Sequence, residues 1–110
     1  MIDVDFFVLP AGSLTGFRIT GHSGYAENGA DIVCAAVSSA AFMAVNTLTD
    51  VLSVTPKSLR AEDGDMLFQT EEADVPLCRV VLEGLKNHLL SLEEQYNDFI
   101  CVRYVEVSSC

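Results

Sequence analysis

Apolar and polar residues alternate at the start of the chain. Ile2, Val4, Phe6 and Val8 fall on one side and Asp3 and Asp5 on the other, the period-two pattern of a half-buried strand. Pro10 to Ser13 is a turn signal, and Leu14 to Thr20 reads as a second strand, with Phe17 and Ile19 assigned to opposite faces. The two runs form a predicted hairpin that Gly21 closes. From Gly21 to Ala30 there is no periodicity and three glycines, which marks a loop with conformational freedom. Ile32 to Leu52 then reads as a helix that is apolar nearly all round, interrupted by Ser38, Ser39, Asn46, Thr47 and Asp50. Such a helix belongs in the middle of a fold, or at an interface.

Ser53 to Ala61 and Asp65 to Thr70 flank an Asp63-Gly64 turn, so they are predicted as strands three and four of a second hairpin. Pro56 confines the third strand to an edge or to its own start. Asp74-Val75-Pro76 opens a second helix, with Asp74 as the expected cap and Pro76 where its missing donor is harmless. That helix runs to about Tyr96, with Cys78, Val81, Leu82, Leu85, Leu89, Leu92 and Tyr96 as its apolar stripe. Ile100 to Val107 is a final strand, rich in β-branched and aromatic residues. The order ββαββαβ predicts an α+β fold, a mostly antiparallel sheet of about five strands packed with two helices.

A chain of 110 residues has the length of one domain, here residues 1–110. No apolar run stands out as long enough to cross a bilayer, and the first ten residues carry two acids and no base, unlike a secretory leader. The expectation is a cytoplasmic protein, not engaged with a membrane, whose Cys34, Cys78, Cys101 and Cys110 are reduced thiols. No CxxC is present and no histidine lies at ligand spacing, so neither a metal nor another cofactor is expected. Sixteen acids against six bases give a net charge of −10, which disfavours direct nucleic-acid binding and suits a cationic partner as well as plain solubility.

The stretch GHSGYAENGADIVCAAVSS, residues 21–39, holds the candidate chemistry. With Asp31 as N-cap, Cys34 occupies the third helical position, near the positive end of the helix dipole, where a thiolate nucleophile is favoured. His22 follows the second strand directly, and the eleven residues between it and Cys34 allow a Cys-His pair. First-turn amides offer an oxyanion hole, and Gly24 and Gly29 give the loop freedom to move. Ser38, one turn after Cys34, is placed to touch substrate or to back-bond to the helix. On these residues alone a packing thiol at Cys34 and a backbone-satisfied His22 are the favoured readings over a catalytic pair.

The same stretch resembles the signature of the bacterial ribosomal-processing cysteine protease family, Prp. Its pattern, GHA, a short loop, then G-x-D-x-VCAA-x-S, is met by Gly21, His22, Gly29, Asp31, Val33, Cys34, Ala35, Ala36 and Ser38, with Ser23 in place of the alanine. The resemblance extends over the whole element order. It implies a homodimeric protease with no cofactor that removes a short hydrophobic N-terminal extension, ending in phenylalanine, from a large-subunit ribosomal protein, supporting ribosome assembly. Cys34 takes the nucleophile role and His22 the base role, with Gly29, Asp31 and Ser38 as supporting or substrate-binding positions. The substrate's aromatic side chain is expected near Ala35 and Ser38. A non-catalytic ribosome-assembly or protein-binding module keeps the same fold without needing either residue, and a peroxide-sensing thiol protein needs Cys34 alone.

Overall fold

The computed structural model describes residues 1–22, 24, 31–62 and 64–107. Five strands form one sheet: β1 (Ile2–Val8), β2 (Leu14–Gly21), β3 (Ser58–Glu62), β4 (Asp65–Gln69) and β5 (Ile100–Glu106), in the spatial order β3-β4-β2-β1-β5. Three neighbouring pairs are antiparallel, whereas β1 and β5 run parallel. The sheet is therefore mixed at one edge. β3 begins at Ser58, beyond Pro56, and lies at the other edge. The residues from Ser53 that were expected in β3 instead form a connection, with Ser53 in the left-handed region at φ 58°.

Alternation decides which face is covered. Ile2, Val4 and Phe6 are buried, while Asp3 and Asp5 point to the open face, where Arg103 pairs with both at 3.3 and 3.1 Å. On the same open face Arg60 and Arg18 reach Asp65 at 2.9 and 3.5 Å. Phe17 and Ile19 share the covered face, since residues two apart on a strand project the same way. The opposite-face assignment of these two was wrong. Register then aligns Tyr104, Phe6, Phe17 and Phe68 as one row across β5, β1, β2 and β4. Neighbouring ring centroids stand 6.2–6.4 Å apart. Each such contact adds about 0.5–1.5 kcal/mol beyond burial of its area.

Two helices, α1 (Ile32–Asn46) and α2 (Val75–Gln95), contribute to the core on that face. On α2, Cys78, Leu82, Leu85 and Leu89 are buried, with Val81, Leu92 and Tyr96 packed around them, the stripe its periodicity predicts. Asp74 precedes α2 as expected, yet its side chain makes no capping bond, because a 3-10 turn over Glu72–Asp74 leads into the helix. α1 continues into a π-helical turn, Thr47–Val51. Thr47 and Thr49 hydroxyls donate back to the Met43 and Val45 carbonyls at 2.7 and 3.1 Å, competing with the regular ladder.

α1 does not run through the middle of the fold. Val33, Val37, Ala41, Ala44 and Val45 face the core, but Ile32, Phe42 and Met43 are exposed. The all-round apolar pattern thus reflects one face in the core and one left open. Ile32–Val51 is also long and apolar enough to cross a bilayer by length and composition, contrary to the sequence expectation, although its buried face belongs to this core.

Candidate active site

Asp31 builds the start of α1. With φ −82° and ψ 100° it sits outside the helix, and its Oδ1 accepts from the Val33 and Cys34 amides at 3.0 and 3.1 Å. This is the N-cap read from the sequence, and it fixes Cys34 at the third helical position. It also revises one expectation. Two first-turn amides proposed for an oxyanion hole already bond the cap, and the Ala35 amide bonds the Asp31 carbonyl at 3.1 Å. In this arrangement only the Ile32 amide of that first turn lies outside the cap's bonds.

His22 is held at the end of the first hairpin. The Gly21 amide donates to the Gly64 carbonyl at 3.0 Å, and the Met1 nitrogen donates to the His22 carbonyl at 2.6 Å. Gly21 has φ +88°, and a Cβ there would lie 2.5 Å from the Met1 carbonyl oxygen, so glycine is required by both conformation and space.

His22, Cys34 and Ser38 line one open cleft of about 290 Å³ between α1 and the end of the sheet. Ile2, Ile19, Ala61 and Met66 make its apolar floor, while Val37, Ala41 and Phe42 continue the α1 wall. Glu62, Gly64 and Asp65 form the rim at the β3–β4 turn. The Arg60 guanidinium, bonded to Asp65, holds that carboxyl below the usual carboxylate range. Asp65 is thereby held as an ion pair with Arg60 and, at 3.5 Å, with Arg18.

Of the sequence candidates, His22, Cys34 and Ser38 meet in the cleft and Asp31 supports it from below. Gly29 falls outside the described residues. Ala35, expected to border a pocket for an aromatic group, is exposed and does not line the cleft. On that helix the cleft wall is continued instead by Ala41 and Phe42, seven and eight residues after Cys34 on the same helix face. Helical periodicity counted from Cys34 would have found them, but Met66, Ala61 and Gly64 come from a distant hairpin that no local pattern connects to the motif.

The remaining described thiols are poor competitors. Cys78 is fully buried, and burial pushes its thiol up, which keeps it protonated and inert. Cys101 alternates onto the open face of the sheet with Asp3 and Arg103, away from the cleft.

The sequence profile of the family described as cysteine protease Prp matches residues 1–101. The ribosomal processing cysteine protease Prp of Staphylococcus aureus is 31% identical over 106 residues, covering 94% of this chain and 99% of the relative. The protein of that name from Bacillus subtilis is 33% identical over 90 residues, covering 77% and 80%. The crystal structure of the S. aureus protease in complex with a covalently linked product peptide superposes with a TM-score of 0.87 at 30% identity, covering 96% of this chain and all of that one, 100%.

Proposed function

The chain belongs to the ribosomal-processing cysteine protease family, and from that membership we propose that it cuts a short hydrophobic N-terminal extension from a large-subunit ribosomal protein, with Cys34 as nucleophile and His22 as base. The observation that carries this reading is the shared cleft. His22 at a strand end and Cys34 in the first turn of α1 line one cavity whose floor is apolar.

In the first half-reaction His22 takes the thiol proton and Cys34 Sγ attacks the carbonyl carbon of the scissile peptide. The tetrahedral intermediate collapses as His22 returns the proton to the leaving amine, which departs and leaves a thioester. Water then attacks the thioester while His22 takes its proton, and collapse releases the acid product and the thiol. Ser38, exposed on α1 one turn after Cys34, borders the substrate, and Asp31 holds the helix start that aims Cys34. The net charge of −10 suits a basic ribosomal substrate.

The aromatic side chain before the cut is assigned to the floor formed by Ile19, Ala61 and Met66. Burying one such side chain is worth about 1.5–3 kcal/mol, or about ten- to hundredfold in specificity. Ser38→Trp, which fills the mouth from an exposed position, is expected to lower kcat/KM for the extension peptide by that factor. Alkylation of Cys34 by iodoacetamide, a small reagent, should persist in the same variant. Unchanged peptide cleavage in Ser38→Trp would remove the floor from the proposal.

A homodimer completes this reading. Its support is the open apolar face of the helices, where Met43 is 65% and Val80 77% exposed beside a groove lined by Ala36, Ala40 and Gly84. Sedimentation equilibrium is expected to give twice the chain mass for wild type and a monomer for Val80→Glu. A monomeric wild type at micromolar concentration would refute the dimer.

A further inference from the structure

We propose that Gly64, in the β3–β4 turn, is a positioning residue for the His22 imidazole. The inference rests on the reading of His22 as the base and adds to it the wall against which the ring is set. Main-chain bonds fix where the residue sits, from Gly21 to Gly64 and from Met1 to His22, but they leave the ring free to turn about its side-chain torsions. The surface that limits the ring is the missing side chain of Gly64. A Cβ built there would lie 3.0 Å from Nε2, 3.6 Å from Cε1 and 3.7 Å from Cδ2. Ordinary contact begins at about 3.5 Å, so one methyl group would displace the Nε2 edge by about half an ångström. Gly64 borders the same cleft as His22 and Cys34, so that displacement occurs within the site.

Two requirements coincide at Gly64, and they can be separated. Its φ of +76° favours glycine on conformational grounds alone. Asparagine tolerates that conformation better than alanine but carries the same Cβ. Gly12, in the turn at the opposite end of the first hairpin, has φ +99° and nothing within 4 Å of an added Cβ, so Gly12→Ala imposes the backbone cost without touching the site.

The test compares wild type, Gly64→Ala, Gly64→Asn and Gly12→Ala by peptide kinetics and by the ring resonances of the two histidines. His88, exposed on α2, is the internal reference. Reacting groups misplaced by half an ångström should lose about tenfold in kcat with KM held within about twofold. Both Gly64 variants are expected to show this loss and to move the His22 Hε1 and Hδ2 resonances, with His88 unmoved and Gly12→Ala like wild type. Wild-type kcat with unmoved His22 resonances in Gly64→Ala would overturn the proposal. So would recovery of activity in Gly64→Asn, since backbone conformation would then be the cause. If wild type cuts no peptide, the functional reading fails, and the resonances alone still decide the positioning role.

Discussion

Replacing Cys34 with alanine is expected to lower peptide cleavage by about six orders of magnitude, the scale of loss when a protease's covalent nucleophile is removed. The fold should survive. Alanine keeps the backbone amide that donates to Asp31 at 3.1 Å, and it suits a helix at least as well as cysteine does. The thiol is only partly buried, so its loss leaves no closed cavity in the core. Neither remaining described thiol can substitute, Cys78 because it is fully buried and Cys101 because it lies on the open face of the sheet. Steady-state kinetics beside a thermal melt would separate lost chemistry from lost structure. Retention of a tenth of wild-type activity in a pure, folded variant would exclude Cys34 as nucleophile.

His22→Ala comes second, with an expected loss of about two to four orders of magnitude in kcat, the usual contribution of a general acid–base group. His22 is exposed at the end of β2, so removing its ring gives up little packing, and KM should change far less than kcat. Because the two residues act on one proton, their effects should not add. The variant lacking both is expected to be no slower than Cys34→Ala alone. A double variant whose loss equals the sum of the two would mean that His22 acts independently of the thiol, for instance in holding the cleft open. Measurement of kcat and KM for all three variants on one peptide decides between these.

Much of this fold was legible because its signals are local. Strand alternation picked out β1 and its buried face, the Asp31 cap placed Cys34, and the α2 stripe named the residues that reach the core. What stayed hidden depends on partners far away in sequence. Periodicity reports that Ile100 to Val107 is a strand but not that it runs parallel to β1, because the direction of pairing is set by where α2 delivers the chain. The open face of α1 was misread for a related reason. An apolar residue such as Met43 has the same pattern whether a second layer covers it or nothing does.

The site shows the same division. His22, Asp31, Cys34 and Ser38 sit within one short motif and were named from it. Met66 and Ala61 enter the cleft only because β4 pairs with β2 and β3 in a register that puts Ala61, Met66 and Ile19 in one row. Gly64 meets His22 through that same pairing. An expected turn glycine gave no hint that an imidazole would rest against it.

The central claim is that Cys34 forms the covalent bond to the substrate carbonyl. The most direct measurement treats wild type with the extension peptide converted to a chloromethyl ketone at its final phenylalanine, followed by digestion and mass mapping. The account predicts one adduct, a thioether on Cys34 formed with loss of chloride, and cleavage activity that falls in proportion to Cys34 labelling. Full labelling of Cys34 with cleavage undiminished, or inactivation that tracks modification of Cys78 or Cys101 instead, would contradict it.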